Sequence, residues 1–469
     1  MFVRIKSIEL NNWRNVEHGK IVFPCSNEDD GFEYQSDITG IYGQNGSGKT
    51  TLVFAFSLLK QLLSGESYKD IIDDNITIGA DSANIVCEMC VELDDERRFL
   101  TSYEFVFSNT NTFETLKISA YDEENQTRDR LNPIFSVDFN DETCSFTPQT
   151  KRTELFGKAA AINNKLLVQK ILCAKEQRSF IFSKDFCEDI QANSTNAHND
   201  YADILRTLSR YGKWNLFVLS NRENGLISLD AVLPFTFRTG RVAGRIGMPI
   251  DHPKTLSKKA QIVLKDVVET INKVIIEIIP GMEIAIDSLG TELMEDGSIG
   301  ERVQLVRKHR NGDKEYKLPL KYESEGIKKI VSLLHVFIAT YNNVGITLVV
   351  DELDANIFEY LLGELLSIMN EDGKGQLIFT AHNLRPLEVL DPKNIVFTTI
   401  NPANRYTKMQ DVKKSNNMRR CFFRDITLGN SHGNDELYAH TNSLEIAHAM
   451  RKMRKHVDIL STKKNSEEC

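Results

Sequence analysis

The stretch ITGIYGQNGSGKTTLVFAFSLLKQLL, residues 38–63, decides how the chain is read. A short apolar run ends at Tyr42, a glycine-rich turn follows, and an apolar segment of helical period begins near Lys49. Residues 43–50 match G-x-x-x-x-G-K-[ST] at every fixed position, in the strand–loop–helix setting that the motif requires. Glycines let successive backbone N–H groups turn inward as an anion nest, and the helix start adds the positive end of its dipole. The expected anion is a nucleoside triphosphate, cradled by Gly43, Gln44, Asn45, Gly46, Ser47, Gly48, Lys49, Thr50 and Thr51. Lys49 should reach the β/γ-phosphates, and Thr50 should place its hydroxyl on Mg²⁺.

Far along the chain, GITLVVDELDANIF is a buried-type strand that delivers Asp351-Glu352 at its C-terminal edge, where α/β sheets bind ligands. Asp351 is expected to hold the metal and Glu352 to polarise the attacking water. The next strand, in KGQLIFTAHNL, ends at His382, a position from which a polar side chain can touch the γ-phosphate. Upstream, Ser324-Glu325-Gly326 opens an amphipathic helix, with Ser324 as N-cap and Gly326 permitting close backbone approach.

Around these motifs the pattern is α/β: a mixed sheet, an antiparallel lobe and a compact helical insertion. Strands are expected over 1–10 and 18–25, with NNWRNVE turning between them. ANIVCEMCVELDD, RRFLTSYEFVFSN and FETLKISAYD alternate apolar and polar residues, as an antiparallel sheet does. From about 150 to 285 the pattern becomes mainly helical, closing at Pro280-Gly281. A hairpin turning at Asn311-Gly312 follows, and strand–helix alternation resumes from 324 to 400. The expected division is an N-terminal lobe over 1–150, a helical arm over 151–285, a C-terminal lobe over 286–400, and a tail over 401–469 for partner binding or oligomerisation.

Composition narrows the class. Of 469 residues, 41% are hydrophobic and 26% charged, as in soluble globular chains. The net charge of −9 argues against a surface coated for nucleic acid while leaving room for a local basic groove. No apolar run is long enough to span a bilayer, and MFVRIKSIELNNW lacks a signal-peptide core, so the expected location is cytoplasmic with no membrane partner. The lone Cys87-x-x-Cys90 has no second ligand pair, and its odd offset places the two thiols on opposite faces of a strand.

The order of glycine loop, helical insertion, Ser-x-Gly helix, Asp-Glu strand and His strand resembles the ATP-binding-cassette (ABC) class of P-loop ATPases. The resemblance implies an ABC-type ATPase head, with Ser324 and Gly326 completing the nucleotide site of a second subunit. IKSIELNNWRNVEHGKIVF is similar to the N-terminal strand pair of the chromosome-structure and recombination members, which implies that Arg14 lies by the nucleotide. ESEGIKKIVSLL, VVDELDANIF, LIFTAHN and the tail FTTINPANRYTKMQDVKKSNNMRRCFFRDITLGN most resemble a bacterial family labelled AAA-15. That likeness covers about residues 1–120 and 300–450, and the middle only by arrangement. Its members are ATPase subunits of anti-phage defence, and those of the phage anti-restriction-induced systems are similar in size and layout. The implied partners are a homodimer or a higher oligomer such as a hexamer, a separate nuclease (TOPRIM-type) or toxin effector chain, and a phage protein or nucleic acid as trigger. Two departures stand out. Phe358 occupies a place usually held by Asp or His, and the glutamine that usually links the Mg²⁺ site to the arm has no assigned position, with Gln126 and Gln149 both candidates.

No Asp-x-Asp follows His382, so a nuclease centre is expected on another chain. The stretches DVKKSNNMRRCFFR and HAMRKMRKH are either solvated helix faces or a partner-binding or nucleic-acid surface. Besides defence, a DNA-repair or chromosome-type ATPase that clamps DNA fits the motifs. A transporter ATPase does not fit the N-terminal strand pair.

Overall fold

The computed structural model describes residues 2–24, 36–72, 75–122, 127–128, 130–158, 160–193, 199–220, 233–239, 242–249, 252–294, 297–311, 314–409, 417–428, 436–438 and 443–452. Two sheets frame one helix. The first is antiparallel and contains β1 (Phe2–Trp13), β2 (Val16–Val22), β4 (Ser82–Glu92), β5 (Arg98–Ser108), β6 (Thr112–Asp122), β7 (Thr127–Arg128) and β8 (Asn132–Asp138). Its order is β2-β1-β4-β5-β6, with β7 and β8 both pairing β6. The second is built on β3 (Asp37–Tyr42), β9 (Leu216–Leu219), β16 (Thr347–Val350), β17 (Gln376–Thr380), β18 (Ile395–Thr398) and β19 (Tyr406–Thr407), in the order β19-β18-β3-β17-β16-β9. All its pairings are parallel except that of β19.

Strand alternation explains the layers. Val349, Ile378 and Val396 face the core shared with α1 (Lys49–Ser64) and the antiparallel sheet. Their neighbours Leu348, Val350, Leu377, Phe379, Ile395 and Phe397 face the other way, onto α8 (Glu325–Asn342) and α9 (Glu359–Asp372). A parallel sheet covered on both faces reads as continuous apolar runs, which is how these strands appear in the sequence. The same alternation parts the cysteines: Cys87 packs with α1 and Cys90 with Phe2 and Leu100. The fully buried Gln376 ties the two sheets together. Its amide donates to Ile5 O at 2.8 Å and to Asp37 Oδ2 at 2.9 Å, and its oxygen accepts from Ile5 N at 3.3 Å and Thr347 Oγ1 at 3.1 Å.

Several expected boundaries shift. β1 runs on to Trp13 and β2 starts at Val16, so the turn between them is shorter than NNWRNVE. The stretch 151–285 holds α3 (Gln149–Phe156, which starts just before it), α4 (Ala160–Glu176), α5 (Lys184–Asn193), α6 (Asn199–Arg210) and α7 (Lys258–Ile278), but it also supplies strands. β9, only four residues long and too short to show a period, joins the second sheet beside β16. β10 (Leu233–Thr239) pairs with β11 (Val242–Met248), and β12 (Lys254–Leu256) joins β13 (Glu283–Leu293), β14 (Ile299–Asn311) and β15 (Lys314–Pro319) in a third sheet that packs on α7. The β14–β15 hairpin pairs Asn311 with Lys314; Gly312, expected in its turn, lies outside the described residues. α3 to α6 pack into the core of the antiparallel sheet. Among the described residues, no helix is long and apolar enough to cross a membrane.

Candidate functional site

β3 and β16 flank β17, so the glycine loop, the Asp-Glu pair and the His strand emerge along one edge of the sheet. Two glycines of the loop hold left-handed backbone, Gly46 at φ 77° and Gly48 at φ 97°. At Gly43 the constraint is space, since a Cβ there would sit 1.6 Å from Thr398 Oγ1. Lys49 is buried at the start of α1 and its Nζ spans the loop, donating to Gly43 O at 2.7 Å and Gln44 O at 3.0 Å. No acidic residue lies in the first turn of α1, so the helix dipole there is uncompensated and favours an anion. Burial pulls the Lys49 ammonium below its ordinary value, with Asp351, Glu352 and Asp354 acting in the opposite direction. Ser47 Oγ donates to Gln44 O at 2.6 Å, whereas Asn45 is exposed.

Asp351 follows β16 and is 1% exposed. Thr380 Oγ1 donates to its Oδ1 at 2.6 Å, and the Thr50 hydroxyl is near enough to favour the ionised carboxylate. Burial raises the Asp351 carboxyl above its usual range, while these hydroxyls and Lys49 oppose the shift. Glu352 sits at φ 50°, a left-handed turn that re-aims the chain at the strand end, and its N–H donates to Thr380 Oγ1 at 2.7 Å. The His382 and Asn383 N–H groups donate to Asp354 Oδ2 at 2.9 and 2.6 Å, and the His382 ring faces solvent.

Ser324 caps α8, accepting from Ile327 N at 3.4 Å. Gly326 meets the loop after the carboxylate pair, where a Cβ would lie 2.2 Å from Asn356 O. Among the described hydrogen bonds, neither Ser324 nor Gly326 joins the glycine loop of its own chain. Among the described hydrogen bonds Arg14 makes none to the loop either: its Nε donates to Asn75 Oδ1 and its guanidinium lies 3.9 Å over the Phe54 ring of α1. Phe358 is 74% exposed before α9. Gln149 is exposed at the start of α3, and Gln126 lies outside the described residues.

The structure adds residues that the sequence reading missed. Asn15, next to Arg14, donates to Gly46 O and accepts from Thr51 Oγ1 at 2.8 Å. The hairpin of β18 and β19 closes on the loop from the other side. Tyr406 OH donates to Gly48 O at 2.9 Å, Arg405 Nη2 donates to Asn15 O, and the Thr398 hydroxyl meets Ser47 Oγ. Thr380, Asp354 and Lys329 complete the carboxylate side. Asp354 in DELDAN, Thr380 in LIFTAHN, Lys329 in ESEGIKKIVSLL and Asn15 beside Arg14 stand close to motif positions without occupying them.

The family model for the AAA domain matches residues 7–219, a range that contains the glycine loop and the antiparallel sheet. With the glycine loop inside the matched range, the chain is an ATPase. No curated protein matches it. Similar solved structures include an Smc head bound to the C-terminal winged-helix domain of ScpA (13% identity, 86% of this chain and 97% of that one, TM-score 0.44). Others are the SMC head domain from Thermotoga maritima (16%, 87% and 99%, TM-score 0.36) and the recombination mediator RecF with ATP, of the RecFOR pathway (15%, 87% and 99%, TM-score 0.36).

Proposed function

We propose that the chain hydrolyses ATP at sites completed between two copies, and that the nucleotide state sets an assembly that controls a separate effector in anti-phage defence. The observation that carries the hydrolytic part is the meeting of Lys49, Thr50, Asp351 and Glu352 at one sheet edge. Lys49 holds the β/γ-phosphates with the loop N–H groups, and Glu352 polarises the water that attacks in line. Thr50 and Asp351 would hold Mg²⁺: a hydroxyl and a nearby buried carboxylate are the hard oxygen donors this ion takes beside phosphate. When bound, the ion neutralises charge gathering on the phosphate oxygens. His382, just past the end of the adjoining strand β17, senses the γ-phosphate.

The shared site is supported by the α8 start, where Gly326 meets the 351–357 loop at Asn356 O and Ser324 caps the helix, which leaves that start for a partner's nucleotide. The defence assignment rests on the likeness of the Ser-x-Gly helix and the C-terminal tail to AAA-15 members, including those of the phage anti-restriction-induced systems. It brings with it a higher oligomer such as a hexamer, a nuclease or toxin chain, and a phage-derived trigger. A second reading, a DNA clamp, draws on exposed Arg420 and Arg424, one turn apart on α11 (Met418–Leu428), and on exposed Arg451. α10 (Pro386–Val389) lies beside α11 and holds Arg419 through Glu388.

Mass measurement of the complex purified with its genomic neighbours, with and without ATP, separates the readings. An oligomer carrying a second polypeptide supports effector control. A monomer–dimer equilibrium that tightens on DNA and weakens with salt supports the clamp. Lys49→Ala is expected to abolish nucleotide binding, and retained binding measured by equilibrium dialysis would refute the assignment of the loop.

A further inference from the structure

The loop after Asp351 bends through two left-handed residues that are not glycine, Glu352 at φ 50° and Asn356 at φ 62°. Such backbone persists only where its surroundings hold it. Here the holder is the start of α8. Gly326 approaches so closely that a Cβ would sit 2.2 Å from Asn356 O. One turn on, Lys329 is 5% exposed and reaches the loop, donating from Nζ to Glu352 O at 2.6 Å and Ala355 O at 2.9 Å. Burial pulls the Lys329 ammonium down to about 8 against the opposing pull of Asp354, Glu352 and Asp351, and among the described ion pairs it makes none. A buried ammonium turned onto two main-chain carbonyls fixes the path of the backbone that carries the Glu352 side chain.

We propose that Lys329 is a positioning residue for hydrolysis, holding the 352–355 turn so that the Glu352 carboxylate meets the attacking water. It stands on the same first turns of α8 as Ser324 and Gly326, so a displacement of that helix start is passed directly to Glu352. This role rests on the reading of Glu352 as the water-polarising base.

The test measures kcat for ATP hydrolysis and the dissociation constant of a fluorescent ATP analogue on the full chain. Lys329→Met is expected to lower kcat about 10- to 100-fold, the range that misplacement of a catalytic group produces, and to leave nucleotide affinity within about twofold. Lys329→Arg, which keeps a cation with several donors, is expected to recover most of the rate. In single-turnover assays, Lys329→Met added to Glu352→Gln should cause no further loss, because the lysine acts through that carboxylate. A wild-type kcat in Lys329→Met, a parallel loss of rate and affinity, or an additive double variant would each overturn the proposal. Wild-type turnover by Glu352→Gln would instead sink the assignment of Glu352 itself. If Lys329→Met does not fold, Lys329→Gln, which retains an N–H donor, replaces it with the same expected split.

Discussion

At the residue scale, Thr380 shows how much one hydroxyl organises. Its proton goes to Asp351 Oδ1 and its lone pair takes the Glu352 N–H, so both carboxylate-bearing residues are set by a group from the next strand. Thr380→Val keeps the shape and removes both bonds. The expected cost is about 1–3 kcal/mol in denaturant unfolding, the usual penalty for leaving such groups unpaired, with a higher Mg²⁺ requirement for turnover. Thr380→Ser should restore both; a valine variant with wild-type stability and Mg²⁺ dependence would show that the hydroxyl is idle. The glycine loop was legible in the sequence because its chemistry lies in eight consecutive residues. Thr380, Asn15, Lys329 and Tyr406 were not, because each acts on a residue far away in sequence, and single-residue spacing says nothing about which strands become neighbours.

Elements divide in the same way. α7 could be read from its pattern and its Pro280-Gly281 stop, and α8 from its period and its Ser324 cap; in the structure Ser257 and Ser324 cap the two, accepting from Ala260 N and Ile327 N. β9 could not, since four apolar residues carry no period and its place beside β16 is set by tertiary pairing. Gln376 is the element-scale counterpart: a polar residue inside an apolar strand, explained only once β17 is seen against β1. Gln376→Leu strips four hydrogen bonds from a buried junction, including both main-chain bonds to Ile5. A loss of about 3 kcal/mol or more is expected, since several buried groups lose partners together. Urea unfolding followed by circular dichroism checks this, and an unchanged midpoint would mean that the sheets are joined by packing alone. Gly326→Ala tests the α8–loop junction similarly. A new methyl meeting backbone should cost about 1–3 kcal/mol, read as a lowered thermal midpoint.

At the scale of the whole molecule, the proposed function requires a second copy to face the α8 start, and the surface there suits one. Tyr322 is 65% exposed, Phe358 74% and Tyr360 59%. They flank the Gly326–Asn356 contact from its two sides in the chain. Single exposed aromatics are ordinary, but three so near this junction in the chain are of the type that interfaces bury at their centre. On the proposed function, Phe358 would make an apolar contact with the second copy. Glu352→Gln should retain ATP and hold the assembled state, because phosphate binding survives while water activation is lost. Light scattering on that variant is expected to show a dimer or larger species with ATP and a monomer without it. Phe358→Asp in the same background should weaken assembly about tenfold or more, as loss of a central aromatic anchor does, and leave ATP affinity unchanged. Its high exposure in the single chain means that folding stability should hardly move. Assembly unaffected by Phe358→Asp would place the interface elsewhere. Assembly lost together with ATP binding would mean that the aromatic supports the nucleotide site within its own chain.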